Sequence, residues 1–529
     1  MEGLELVVIL GATLLVGGFL ASKIRVPAPL VLIIIGSAIG FLPFLSETQL
    51  PPDVVLLLFL PALLYWEAFN SSWREIRRNL RVILLMSIGL TLATAAVVAV
   101  IAHAFGLPWS IAIALGAILA PTDATAVSAI AGRLPRRQGT TLRAESLIND
   151  GTALVLYSVA VTAAVSGEGI SFGETSLRFV LSYAIAFVVG LAVGFATRFI
   201  RRLIGEDRLL ANTLSVLTPF LAYLPAEALH ASGVVAVVTT GLVVSQVAVP
   251  LISARTRSQA YGFWQVATYL LNGALFVLIG VQLHAVIEGI DGSWGPTLVL
   301  GIVATAAVIL SRLVWMNTTP YIIRALDRRP YQRTRRIAFR QRIPLAWAGF
   351  RGAVSLAAAL ALPAQTASGD PLPGRDIVIA VTFVVILLTL FVQGLTLPAV
   401  VRWGRLPADP TEFDEQLLAD QTMAQKVLAE LDRLSSELRT PDATAADYRA
   451  MLEQRLARIH RSDSDPSAAT LDDDDTVHDA RLRLAALPIK RAALFELRDQ
   501  GRIDDVILRR SMAHIDIEEL RLTDIEEDD

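Results

Sequence analysis

The 529-residue chain contains no cysteine. Disulfides, thiolate metal sites and cysteine nucleophiles are therefore excluded, and with them most zinc, iron–sulfur and thiol-enzyme chemistry. Charge is scarce as well: Asp, Glu, Lys and Arg make up 18% of the residues, against roughly 25% in soluble domains. The arginines fall in short loops between apolar runs, with no Cys/His finger and no aromatic-interleaved basic stripe, which leaves no nucleic-acid surface. What fills the chain is apolar. With 54% hydrophobic residues and a mean hydropathy of +0.56 it reads as a membrane protein.

The net charge of −3 conceals two unlike parts. Residues 1–405 carry 30 Lys/Arg and 19 Asp/Glu, a net of +11, whereas residues 406–529 carry 16 and 30, a net of −14. The first part is a succession of apolar runs and is expected to be a transmembrane domain; the second is an acidic, helix-patterned tail that cannot sit in lipid. A helix needs about 20 apolar residues to cross the hydrocarbon core. By that measure thirteen spans lie near 4–21, 27–45, 53–69, 82–105, 109–131, 145–165, 178–204, 209–225, 232–250, 261–284, 296–322, 342–363 and 376–401. The first has no basic flank before it and no small-residue cleavage site after it, so it reads as a retained helix rather than a signal peptide.

Lys and Arg close to span ends stay in the cytoplasm. Basic loops follow every odd-numbered span, from Lys23 and Arg25 through Arg74–Arg81, Arg133–Arg143, Arg198–Arg208, Arg255 and Arg257, the eight arginines Arg324–Arg342, to Arg402 and Arg405, 26 residues in all. The loops after even-numbered spans hold only Arg375. This alternation predicts a multi-pass protein of the cell (cytoplasmic) membrane with its N-terminus outside and its tail in the cytoplasm. In the tail, helical apolar spacing covers 411–439 and 443–460. An acidic linker from Ser462 to Asp475 follows, then a helical stretch over 478–522 with breaks expected at Pro488 and Gly501.

Among the ionisable residues inside the spans, six stand out: Glu67, Asp123, Glu145, Asp150, Arg312 and Arg351. Each costs about 2.5–3.5 kcal/mol or more at mid-bilayer unless paired or hydrated, which makes each a functional candidate. For Glu145, Arg312 and Arg351 the competing reading is a purely structural pairing of helices. His103 and His284 read as interfacial. Span five contains Ala120-Pro121-Thr122-Asp123, and span twelve contains Gly349-Phe350-Arg351-Gly352. Both are helix-weakening, and both are followed by Ala-Val-Ser, at Ala126–Ser128 and Ala353–Ser355. Broken helices in corresponding places of two halves point to the binding site of an inverted-repeat transporter. Their opposed ends carry partial charges, and Asp123 and Arg351 have the signs to compensate them. In span six, Ser146 and Asp150 share one helix face and Glu145 and Asn149 the next. Carboxylate, hydroxyl and freed carbonyl oxygens are hard donors for a small dehydrated cation. A single carboxylate that holds either a proton or a cation performs exchange.

In these residues the sequence closely resembles the monovalent cation:proton antiporters of the bacterial Na+/H+ exchanger type, the family that includes the animal sodium–proton exchangers. The matching motifs are Pro121-Thr122-Asp123, Glu145-Ser146-Leu147-Ile148-Asn149-Asp150 and Phe350-Arg351-Gly352-Ala353-Val354-Ser355. Leu63–Ala68, Arg255-Thr256-Arg257 and Ser311-Arg312 match as well, and Ala492–Arg498 looks like the tail of one bacterial branch. The resemblance implies an all-α polytopic protein of about thirteen helices, with inverted repeats and two broken crossing helices, forming a homodimer whose mobile core moves against a scaffold. It implies that Asp150 binds cation or proton, with Asp123, Asn149, Ser146, Glu67 and the Thr122 carbonyl around it, and that Glu145 pairs with Arg312. Two departures stand out: Ala124 replaces the Pro or Val often found after this Asp, and Gln265 stands where an acidic residue commonly follows the Trp.

The expected activity is exchange of Na+, or alternatively K+ or Li+, for H+. No resident cofactor is expected, because the ions are cargo. The competing readings are a cation channel or sensor and an intramembrane aspartyl protease. The protease reading fails on the absence of a Gly-x-Gly-Asp context at Asp123 or Asp150, and the channel on the broken helices, which suit alternating access. The tail is expected to dock on the cytoplasmic loops or to bind an unknown regulator. Asn149 stands where electrogenic relatives commonly have an Asp, so one-for-one, electroneutral exchange is expected.

Overall fold

Backbone that cannot be hydrated in lipid must close its hydrogen bonds within helices, and this chain does so almost throughout. The computed structural model describes residues 2–24, 26–41, 55–123, 136–166, 172–205, 207–247, 252–288, 294–326, 338–406, 410–460 and 477–527. The helices of the first part begin with α1 (Glu2–Ile24), α2 (Ala28–Gly40), α3 (Leu60–Phe69), α4 (Trp73–Leu84), α5 (Thr91–Ala104) and α6 (Trp109–Leu119). They continue with α7 (Arg136–Ser166), α8 (Phe172–Ile204), α9 (Arg208–Ala228), α10 (Gly233–Val247), α11 (Ala254–Glu288) and α12 (Trp294–Leu326). The last are α13 (Phe339–Trp347), α14 (Ala353–Leu360), α15 (Arg375–Leu388) and α16 (Gly394–Gly404). Wide π-helical turns precede α3 (Val55–Phe59) and α5 (Leu85–Leu90) and join α15 to α16 (Thr389–Gln393). Among the described residues seven helices are long and apolar enough to cross a membrane, and five shorter apolar helices accompany them. Every expected span overlaps one of these helices or, for span twelve, the broken pair α13 and α14; span five is helical only to Leu119 among the described residues.

The helices sort into two bundles. α1–α3 and α8–α11 pack chiefly on one another, as do α5–α7 and α12–α16, and contacts across the divide are sparse. Small residues bring helices close within the first bundle: a Cβ on Gly36 of α2 would lie 2.4 Å from the Val277 carbonyl oxygen of α11, and one on Gly280 2.3 Å from that of Ile33. This is the small-residue packing that membrane helices use where no hydrophobic force drives them together. The amphipathic α4 joins the bundles, burying Ile76 and Ile83 beside Ala144 of α7.

The tail folds into four helices, α17 (Pro410–Leu438), α18 (Asp442–His460), α19 (Val477–Asp499) and α20 (Asp505–Glu527). Val427, Leu431 and Leu434, at one-turn spacing on α17, bury against Leu452 of α18 and Leu482 of α19. Leu494, Leu497, Ile507 and Met512 form a second cluster between α19 and α20. The break expected at Pro488 does not occur. α19 runs through it, because the neighbouring Leu487 and Ala486 are buried in the tail core, and that packing outweighs one lost backbone bond. Gly501, with φ +70°, does end the run. Ala124, the Ala126–Ser128 tripeptide, Arg133 and most of the Arg324–Arg342 cluster, and the Ser462–Asp475 linker lie outside the described residues.

The tail bundle touches the membrane part at the ends of α3 and α11. Ser72 donates to Asp504 at 2.7 Å, Arg74 donates to the Ile503 carbonyl at 2.7 Å, and Arg509 donates to the Asn70 carbonyl. Arg257, at the start of α11, forms a two-pronged pair with Asp516 at 2.5 and 2.6 Å. Asp516 also accepts from Arg491 of the tail at 2.9 Å.

Candidate functional site

The helix breaks lie where the sequence loses helical stability. α6 ends at Leu119 and the chain is non-helical through 121–123; α13 ends at Trp347 and the chain is again non-helical until α14 starts after Gly352. The two non-helical stretches meet: the Asp123 N–H donates to the Phe350 carbonyl at 2.9 Å. Each break leaves helix-end groups without intrahelical partners, and charge of opposite sign meets each kind. Arg351, 1% exposed, donates from Nε to the Leu119 carbonyl at 2.9 Å and from Nη2 to that of Ala120 at 3.4 Å. It also donates to the Gly349 carbonyl. A guanidinium thus caps the negative end of α6. Asp123 sits beside the start of α14, so close that a Cβ on Gly352 would lie 1.9 Å from Asp123 Oδ2. Only glycine fits there, and the carboxylate lies near the positive end of α14.

α7 passes this crossing with the residues read from span six. Ser146 Oγ donates to the Thr122 carbonyl at 2.9 Å, and Asn149 Nδ2 donates to Thr122 Oγ1 at 2.9 Å. The Asn149 carbonyl oxygen is buried with no hydrogen-bond partner among the described residues. Glu145, one position before Ser146, turns away from the crossing and takes both prongs of Arg312, from Nη2 at 3.1 Å and from Nη1. Arg312 also reaches the Leu345 carbonyl at 3.4 Å. This pair is sealed, with side chains 1% and 2% exposed.

Between the two bundles lies a cavity of about 60 Å³, room for a few water molecules or a partly dehydrated ion. Glu67 of α3 lines it from the first bundle; Thr122, Asp123, Ser146 and Asp150 line it from the second. Phe59, Leu63, Leu275 and Phe276 make most of the rest of the first-bundle wall apolar, with Asn272 of α11 the polar exception. The structure therefore brings Asp150, Asp123, Ser146, Thr122 and Glu67 to one space and puts Asn149 one hydrogen bond from it. Glu145, Arg312 and Arg351 are not among its lining residues. Three carboxylates, a hydroxyl and a backbone carbonyl around a small void form an oxygen-rich cradle for a hard cation or for protons.

Sequence reasoning passed over several participants. Asn272 lines the cavity with no motif of its own to mark it, and Ser355, read only as the end of a motif, lines it too. Thr389 Oγ1, in the π-helical turn of span thirteen, accepts from the Arg351 N–H at 3.3 Å, and Ser87, in that of span four, donates to the Glu145 carbonyl at 3.2 Å. Such turns cluster at functional sites, but no residue pattern announces them. Of the two departures, Gln265 is exposed on α11, away from the cavity lining. His103 bonds the Leu107 carbonyl oxygen at 2.9 Å and stacks on Trp109 at 4.0 Å, away from the cavity.

A family model described as sodium/hydrogen exchanger, transmembrane, matches residues 10–403. The chain is 45% identical to an uncharacterized Na+/H+ exchanger of Mycobacterium tuberculosis, over 99% of this chain and 96% of that one. It is 29% identical to the Na+/H+ antiporter ApNhaP of Aphanothece halophytica, over 83% of this chain and 82% of the relative. The sodium proton antiporter MjNhaP1 of Methanocaldococcus jannaschii shares the fold, with a TM-score of 0.58 at 20% identity over 77% of this chain and all of that one. The crossing of two broken helices, the oxygen-lined cavity and the match across nearly the whole membrane part agree: the chain belongs to the sodium/hydrogen exchanger family, transporters rather than enzymes.

Proposed function

We propose that Asp150 is the exchange site and that the chain carries Na+ against H+, one for one, by alternating access. The observation that carries this reading is the cavity itself, in which Asp150, Asp123, Glu67, Ser146 and the Thr122 carbonyl converge between two sparsely joined bundles. The cation takes oxygen atoms from this set, and a proton on Asp150 removes the negative charge that holds it. Cation and proton therefore compete, and apparent cation affinity falls as pH falls. Na+ as the cargo is supported by the names of the similar antiporters. Asn149 supports electroneutrality: an amide offers no second titrating group, and its NH2 is spent on Thr122. Arg351 and Asp123 compensate the ends of the crossing helices, and the Glu145–Arg312 pair holds α7 to α12. The basic loops support a cytoplasmic tail, which restrains the transport domain through its contacts at Ser72, Arg74 and Arg257. The homodimer implied by the family resemblance remains part of this reading.

The experiment is antiport in proteoliposomes. Asp150→Asn keeps the side chain's shape but releases no proton and balances no cation, so it abolishes exchange while the protein still inserts. In the wild type, rate and end point are unchanged by an imposed potassium–valinomycin potential, because a neutral cycle moves no net charge. An electrogenic one gains about 2.3 kcal/mol per charge per 100 mV. Robust exchange by Asp150→Asn at normal expression refutes the site; a voltage-driven end point refutes the stoichiometry and points to Asp123 as a second titrating group.

A further inference from the structure

Beside Asp150, one side-chain hydrogen bond crosses from one bundle to the other. The hydroxyl of Tyr183, on α8, lies 2.9 Å from Thr152 Oγ1 on α7. Thr152 Oγ1 is also 3.0 Å from the Ile148 carbonyl oxygen of its own helix. A carbonyl only accepts, so the single Thr152 proton is used there, and Tyr183 is the donor across the gap. Phe179 stacks on the Tyr183 ring at 4.8 Å and Thr152 is fully buried, so both partners are held. The side-chain hydrogen bonds from Ser146 and Asn149 to Thr122 and from Arg312 to Glu145 stay inside the second bundle.

The surface around this bond is smooth. Gly151 separates Asp150 from Thr152, and a Cβ on it would lie 2.8 Å from Val235 Cγ2 and 3.3 Å from the Tyr183 hydroxyl. α7 therefore meets α8 and α10 with no side chain at the closest point, against valine methyl groups. Apolar contact of this kind is non-directional and prefers no particular register, whereas a hydrogen bond weakens steeply once stretched or misaligned. Displacing α7 along α8 by even part of a helical turn breaks it.

We infer that Tyr183 is a positioning residue for exchange: its hydroxyl, bonded to Thr152, fixes the Asp150 helix against the first bundle in the access state seen here, and it releases when the second bundle moves. The inference rests on the alternating-access reading above. It assigns the preference for this state to one directional contact on an otherwise featureless sliding surface. The net worth of a single hydrogen bond corresponds to roughly a fivefold change in the ratio of the two states.

The absence of cysteine makes the test direct. Spin labels are placed through Arg202→Cys on α8 and Arg402→Cys on α16, both exposed, in the full chain in phosphatidylethanolamine–phosphatidylglycerol nanodiscs. Double electron–electron resonance then reads the inter-bundle distance while pH and Na+ are titrated. Tyr183→Phe, which keeps the ring, is expected to depopulate the wild-type distance in favour of a second one by roughly fivefold. Thr152→Val should do the same, the double variant no more than either single, and Thr152→Ser should behave as wild type. Identical distance distributions in all variants under every condition overturn the inference, as does a double variant whose shift is the sum of the two singles. Distances are read without transport, so the Asp150→Asn antiport assay fails or succeeds independently of this result.

Discussion

Glu145–Arg312 in the membrane part and Glu430–Arg433 in the tail are the same chemical pair in opposite solvents. The first has side chains 1% and 2% exposed; the second, three residues apart on α17, has 44% and 55%. Arg257–Asp516, where the tail meets the membrane part, has 9% and 7%. In water a carboxylate and a guanidinium gain little by meeting, because each is already solvated. In a sealed bundle neither has an alternative partner, so each becomes obligatory for the other. Exposed tail pairs such as Glu430–Arg433 should therefore contribute little, whereas the sealed Glu145–Arg312 pair should be one that the membrane part cannot lose.

The largest effect expected from this contrast is at Glu145. Glu145→Gln or Arg312→Gln leaves one buried charge uncompensated and should cost about 3–5 kcal/mol, read as a large fall in thermal midpoint by fluorescence size-exclusion in detergent. Replacing both by methionine should recover much of that loss, since no charge is then stranded. Equal stability of both singles and the wild type would mean that the pair is dispensable and the contrast false.

Asp516→Asn comes next. It strips the charge that two arginines share, Arg257 across the interface and Arg491 within the tail. The tail should loosen from the α3 and α11 ends while keeping its own apolar core, which hydrogen–deuterium exchange would report as faster exchange at Asn70–Arg74 and over α20. The pH profile of antiport should shift in the same variant. If exchange rates and pH profile both match wild type, the tail contact carries no restraint.

Smallest of all is Arg433→Ala. Its bonds to Glu430 at 2.7 Å and Glu437 at 2.8 Å have good geometry, yet the loss of stability should be barely measurable and should vanish in high salt. A loss comparable to that of Glu145→Gln would show that exposure is not what separates the two regions.

Several features of this molecule are local and were readable from the chain. Span positions follow from runs of apolar residues, whose partition into lipid depends on composition alone, so every expected span overlaps helix among the described residues. The ionisable residues of the site are legible for a related reason: charge inside a span is costly, and its presence is information. Pro488 shows the limit of local reading. The residue type that weakens the helix of span five is overruled in α19 because Leu487 and Ala486 pack into the tail core. Gly352 was read only as a helix-weakener. Its role is steric, set by a carboxylate more than two hundred residues away that leaves no room for a methyl group.

The sequence by itself determined the apolar spans, the division between a basic membrane part and an acidic tail, and which side chains could hold a cation, because hydropathy and charge belong to residues. The tertiary structure alone decided that Arg351 caps the Leu119 and Ala120 carbonyls, that Asp516 of the tail pairs with Arg257, and that Tyr183 reaches Thr152. Each of these joins residues far apart in the chain through directional bonds of 2.5 to 3.4 Å, and no periodicity in either partner specifies such a meeting. It follows only once whole helices have packed.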